Sequence, residues 1–341
     1  MAAAGAACST SLAAEAQGRR AGYGAAVTLA DLQADTRLRT AVLQYCTQIT
    51  PVYELKWPTV RPDAHTFAFE KADALLDFAR QNGLTMRGHN LVWYADLPDW
   101  TKQIRDAPTA ERTLIDHIST VVAYYRGKLT SWDVVNEAIP DFPRRPTDRR
   151  DSLWLSCLGP SYIEKAFRAA AAAAPDVQLT LNEYDIESVG ERFAAKRAAL
   201  RNLVAELLDA SAPIHAVGLQ CHLHGETEID AEGLAKFVAE IRSWGLDVIV
   251  TELDVDDRKL PASTAERDAI VAKRVNDVLA SISSEIPLRS IVTWGISDRY
   301  SWISQMFPRS DRLPNRPLPL DADFQPKPFM DTITKFARAS T

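Results

Sequence analysis

Strand-like and helix-like segments alternate along the whole of this 341-residue chain, and that alternation limits the folds open to it more than any motif does. β-prone runs at 23–27, 49–51, 85–89, 130–136, 178–182, 216–220, 247–251 and 290–294 are followed by helical patterns at 36–47, 70–81, 110–125, 162–174, 191–209, 231–244, 265–283 and 328–338. A helix after each strand returns the chain to the same edge of the sheet, so successive strands lie parallel. Eight such units without a break in composition predict one α/β domain over 21–341, a (β/α)8 TIM barrel. The alanine run from Ala169 to Ala174 supports the helix assigned there.

Composition narrows the function. With 46% hydrophobic residues, the chain can bury a single large core. A net charge of −6, with Lys and Arg dispersed, argues against nucleic acid as a partner. No apolar run approaches the roughly 18 residues of a membrane span. The first 20 residues read as a leader, with Ala14-Glu15-Ala16 as a small-x-small cleavage pattern, although a basic start and a Leu-rich stretch are lacking. Export to the periplasm or medium and a monomeric state are expected. Cys8, Cys46, Cys157 and Cys221 have no CxxC spacing, and a Cys46 to Cys157 bridge stays open.

In a barrel of this kind the active site lies at the C-terminal rim of the strands, and the unusual side chains collect there. They are Lys56 and Trp57, His89 and Trp93, Asn136 and Glu137, Asn182, Gln220 and His222, Glu252 and Asp254, and Trp294. Two of the β-prone runs carry a glutamate at this rim, Ser131 to Glu137 and Val250 to Asp254. Glycoside cleavage needs such a pair: one carboxyl protonates the leaving oxygen, and a carboxylate faces the anomeric carbon as nucleophile or as base for water. Neighbours then push the two proton affinities apart. A lone acidic residue at a strand end is more often a solvated loop residue or a cap, but two in such settings favour the catalytic reading. The irregular stretch 140–150 would form a rim loop directly after Glu137.

Sugar binding also needs flat apolar faces, for which Trp93, Trp294 and Trp302 are candidates, whereas Trp100, Trp132, Trp154 and Trp244 read as structural. His222 ends the strand before the one carrying Glu252, within reach of it, with Asp254 as its orienting acceptor. His222-Leu223-His224 also permits a metal site with His89, Asp254 and Glu252. That alternative is the weaker one, and a non-catalytic carbohydrate-binding barrel is disfavoured because both carboxylates are present.

These residues resemble glycoside hydrolase family 10, the endo-β-1,4-xylanase family. The likeness runs through Glu54-Leu55-Lys56-Trp57, Arg87-Gly88-His89-Asn90-Leu91-Val92-Trp93, Trp132-Asp133-Val134-Val135-Asn136-Glu137, Gly218-Leu219-Gln220-Cys221-His222, Thr251-Glu252-Leu253-Asp254 and Thr293-Trp294 to Ser301-Trp302. The resemblance implies a retaining glycosidase acting on xylan, a xylooligosaccharide or another short or decorated β-glycoside, with no metal or organic cofactor. It implies Glu137 as acid/base and Glu252 as nucleophile, their carboxyls roughly 5 to 5.5 Å apart. His222 and Asp254 would support the nucleophile, and Lys56, His89, Trp93, Asn136, Asn182, Gln220, Trp294 and Trp302 would surround the sugar.

The chain departs from the family pattern at three points. Thr50-Pro51-Val52-Tyr53 stands where the family usually has Thr-Pro-Glu-Asn, so the groups that hold the sugar one unit beyond the one at the cleavage site, on the non-reducing side, are replaced by Val52 and Tyr53. Tyr94 follows Trp93 where His is common, and Cys221 precedes His222 where Ser is common. The first departure implies a tilt towards short or decorated substrates, with Tyr53 as a contact.

Overall fold

All eight predicted strands form, and each runs parallel to its neighbours in a computed structural model that describes residues 22–339. The expected leader and Cys8 lie outside the described residues. The strands are β1 (Gly22–Val27), β2 (Gln48–Pro51), β3 (Thr85–Met86), β4 (Gly88–Val92), β5 (Ser131–Asn136), β6 (Gln178–Glu183), β7 (Ala216–Leu219), β8 (His222–His224), β9 (Asp247–Asp256) and β10 (Ser290–Thr293). Their order is β3-β2-β1-β10-β9-β7-β6-β5-β4. β3 and β4 are one run of chain interrupted only at Arg87, whose N–H donates to the Ile49 carbonyl at 3.0 Å. Because β3 pairs with β2 and β4 with β5, this single run joins the two ends of the sheet and closes the barrel. β7 and β8 are likewise parts of one run, both pairing with β9. Ten strands thus make eight staves.

The outer helices include Thr36–Tyr45, Glu70–Gln81, Ala107–Tyr124, Tyr162–Ala173 and Glu191–Asp209, each close to its predicted bounds. Side chains that satisfy otherwise unpaired backbone donors start several of them: Asp35 accepts from the Arg37 N–H, Asp106 from Thr109 and Asp230 from Gly233. Each helix turns an apolar stripe inwards, as Ala72, Leu75, Leu76 and Ala79 do on the second. Such a leucine contributes about 1.5–3 kcal/mol by leaving water. Four short helices were not foreseen: Leu29–Ala34, Trp57–Val60, Leu153–Leu158 and Trp302–Met306. Each has fewer than two turns, too few for an apolar period to show.

One expectation is corrected, and the open question of a bridge is answered. Trp57 begins a short helix at the rim, but its ring turns into the core, 2% exposed, stacked on His117 and donating to the Leu91 carbonyl at 2.7 Å. Cys46, Cys157 and Cys221 are free, so Cys46 and Cys157 form no bridge. Cys46 ends the helix after β1, close to Tyr23, whereas Cys157 sits in a helix after β5, on another side of the barrel.

Candidate active site

The strands end in a cleft of about 570 Å³ at the C-terminal rim. Tyr53, Lys56, His89, Trp93, Asn136, Glu137, Gln220, His222, Glu252, Trp294 and Trp302 all line it. Asn182 and Asp254, fully buried, lie directly behind. Side chains from seven of the eight staves or their following loops thus meet in one place.

Glu252, on β9, is 4% exposed and held by nitrogen on every side. Its Oε1 accepts from Asn182 Nδ2 at 2.6 Å and lies 3.9 Å from His89 Nδ1, and its Oε2 lies 3.3 Å from His222 Nε2. Burial alone would raise its proton affinity, but the His89 and His222 imidazoles and the Asn182 amide outweigh it and bring the carboxyl below its usual range. His222 is itself oriented, with Nδ1 2.8 Å from Asp254 Oδ1, while Trp302 Nε1 donates to Asp254 Oδ2 at 2.7 Å. Burial disfavours a charged imidazole there, yet Asp254 and Glu252 together push its pKa well above the ordinary value. Asp254 and Glu252 thus favour the charged form of His222, and the two imidazoles in turn favour the ionised form of Glu252.

Glu137 follows β5 in a different setting. Its Oε2 accepts from Trp93 Nε1 at 2.8 Å, and its Oε1 from Asn136 Nδ2 and Gln220 Nε2, both at 3.1 Å. These partners are neutral, in contrast with those of Glu252. Trp93 thus turns its N–H edge to the carboxylate, and the Lys56 ammonium sits 4.5 Å from its ring centroid. Glu137 adopts φ +58°, a left-handed conformation unfavourable for a residue with a Cβ. Its N–H donates to the Asn182 carbonyl at 2.9 Å and its own carbonyl accepts from Arg150 Nε at 2.9 Å, which locks that turn. Arg150 ends the predicted rim loop and folds it back on the site, lying over the Tyr94 ring at 4.6 Å.

An amide chain connects the two carboxylates. Asn182 donates to Glu252 and also, at 2.8 Å, to Asn136 Oδ1, and Asn136 donates to Glu137. The Thr251 hydroxyl fixes which way round the Asn182 amide lies by donating to its Oδ1 at 2.7 Å. Gly218 leaves room for this, since a Cβ there would collide with that same oxygen. Behind His89, Asp133 bridges its Nδ1 at 3.0 Å and the Arg87 guanidinium at 2.6 Å, all three buried.

Several residues of the site escaped the sequence reading. Tyr184, Asp185, Gln305, Met306 and Phe307 also line the cleft. Tyr184 and Asp185 directly follow β6, so their strand-end position was a usable signal; the other three lie in and after a short helix with none. Behind Tyr184, Lys196 is fully buried with Nζ 3.0 Å from Glu183 and 3.3 Å from the Tyr184 ring centroid. As for the His-x-His pair, the two imidazoles take separate carboxylates, Asp254 for His222 and Asp185 for His224. Among the described residues no group of three or more His, Cys, Asp or Glu is placed to hold a metal ion.

Fold and site together define a glycosidase of the two-carboxylate class, in which paired carboxyl groups at a barrel rim carry proton and covalent chemistry. The sequence profile of Glycosyl hydrolase family 10 matches residues 10–336. Endo-1,4-beta-xylanase B of Paenibacillus barcinonensis is 33% identical over 319 residues, 89% of this chain and 92% of that protein. Endo-1,4-beta-xylanase B of Thermotoga neapolitana is 32% identical, covering 82% and 77%. Among solved structures, xylanase 10B from Thermotoga petrophila RKU-1 in complex with xylobiose superposes with a TM-score of 0.84 at 28% identity, covering 99% of each chain. The chain belongs to glycosyl hydrolase family 10.

Proposed function

We propose that this protein hydrolyses β-1,4-linked xylan or xylooligosaccharides with retention of anomeric configuration, Glu252 acting as nucleophile and Glu137 as acid/base. The observation that carries the reading is the contrast between the two carboxylates: Glu252 is held by imidazoles and an amide that favour its ionised form, Glu137 by neutral donors only. The relatives named as xylanases and the xylobiose-bound neighbour support the substrate class.

In the first step Glu252 attacks the anomeric carbon, the glycosidic C–O bond breaks and Glu137 transfers its proton to the departing oxygen. A glycosyl ester on Glu252 results. In the second step Glu137, now a carboxylate, takes a proton from water as that water attacks the same carbon and frees Glu252. The His222 and Asp254 pair keeps Glu252 oriented through both steps.

Incubation with xylan, linear xylooligosaccharides and cello-oligosaccharides tests the reading. Xylose-series products whose first-formed anomer is β are expected. Exclusive action on cello-oligosaccharides would replace the substrate class, and a first-formed α anomer would overturn the mechanism.

A further inference from the structure

Beside the carboxylate pair the cleft opens into a second cavity of about 170 Å³. Val52, Tyr53, Trp294, Trp302 and Gln305 form the wall that the two spaces share. Past that wall lie Thr28, which caps the short helix Leu29–Ala34 after β1, Asp31 in the first turn of that helix, and Tyr300, at the end of a 3-10 turn after β10. Pockets for drug-sized molecules begin near 300 Å³, so this one suits a single ring and not a continuing chain.

Its chemistry is that of a sugar site. Tyr53 stands 57% exposed at the mouth and offers an aromatic face to the C–H surface of a ring. Asp31 Oδ2 accepts one hydrogen bond, from the Thr28 hydroxyl at 2.7 Å, and a carboxylate has several further lone pairs for sugar hydroxyls. Gln305, exposed on its short helix, adds both donors and an acceptor. No Lys, Arg or His borders the cavity among the described residues. An acidic branch would therefore meet Asp31 without a counter-charge, whereas a neutral one would not. Val52 at the mouth carries no charge, and the Lys56 ammonium, 5.5 Å from the Tyr53 ring centroid, lines the main cleft and not this cavity.

Resting on the xylan reading above, we propose that this cavity is a branch pocket: it receives one neutral pentosyl group carried by the backbone sugar beside Val52 and Tyr53, the second unit from the scissile bond on the non-reducing side. Such a branch converts the loss of polar groups at these two positions from a defect into a preference for decorated chains.

The test compares kcat/KM for a linear xylooligosaccharide, for the same chain with one arabinofuranosyl group on that unit, and for the same chain with a glucuronosyl group there, with products mapped by mass spectrometry. One or two additional hydrogen bonds should favour the arabinosyl substrate about five- to tenfold over the linear one, and the glucuronosyl substrate should be poorer than either. The non-reducing fragment should carry the arabinosyl group on the second unit from the cut. Tyr53→Ala and, as a surface substitution that spares the fold, Gln305→Ala should each lower the branched-to-linear ratio about threefold or more. Equal rates on linear and arabinosyl chains, an unchanged ratio in both variants, or a branch found only elsewhere would overturn the pocket while leaving the xylanase assignment standing. Failure to cleave any of the three substrates would instead overturn the xylan reading itself.

Discussion

Asn182 and Glu252 lie on different strands, β6 and β9, yet the Asn182 amide donates to the Glu252 carboxylate at 2.6 Å, with its own oxygen held by Thr251. The other hydrogen of that amide reaches Asn136, beside Glu137. One side chain thus sets the position of the Glu252 carboxylate relative to that of Glu137 through hydrogen bonds that need no solvent. Since precise placement of reacting groups is a large part of catalysis, the region around Asn182 is where small changes should be felt in rate.

Glu137→Ala removes the proposed proton donor but leaves Glu252 in place. Hydrolysis of natural glycosides, whose alkoxide leaving groups need that proton, should fall by about a hundredfold or more. An aryl glycoside with an acidic leaving group should still glycosylate the enzyme, and added azide should restore turnover and yield a β-glycosyl azide. Equal losses on both substrate types without azide rescue would remove Glu137 from this role.

A 2-fluoro glycoside inactivator should add covalent mass to the peptide containing Glu252. His222→Ala should then reveal what holds that carboxylate ionised. His89, His222 and Asn182 together keep its pKa below the ordinary value, and only the ionised form attacks. Removing His222 removes part of this lowering, so the acid limb of the kcat/KM profile should move to higher pH. A limb that stays put or moves to lower pH would contradict the assignment, as would label on any other carboxylate.

Lys196→Met should destabilise the fold. Lys196 is fully buried beside Glu183, itself 1% exposed, and Glu183 already has its pKa raised by burial and by Glu137, against the lowering effect of Lys196. An uncompensated buried carboxylate costs about 3–5 kcal/mol, to be read from denaturant unfolding. Adding Glu183→Gln should recover part of the loss, because a neutral amide needs no counter-charge. A single variant as stable as the native chain would show that the pair contributes nothing.

Val52→Glu with Tyr53→Asn should raise kcat/KM on linear xylooligosaccharides. Each hydrogen bond regained between a charged or bidentate group and a bound sugar contributes about 1.5–3 kcal/mol, roughly ten- to a hundredfold in affinity. Native activity on linear xylan equal to that of the related xylanases, together with a double variant that only loses activity, would contradict this reading of the two positions.

Periodicity and strand-end position are local properties of a chain, and they were enough to determine the eight β-then-α units, the barrel they close and the rim where Glu137 and Glu252 emerge. Which way a rim side chain then turns is decided by what packs against it. Trp57 and Trp93 carry the same chemistry at neighbouring strand ends, but Trp57 is drawn under His117 into the core while Trp93 presents its N–H to Glu137. Lys196 gives no sign in its helix that it will face Glu183, and Thr251 none that it will orient Asn182. The second cavity joins residues around Thr28 to Trp302 and Gln305, near the other end of the chain, because barrel closure sets β1 beside β10. Such contacts are nonlocal, and their geometry exists only once the ring of strands is closed.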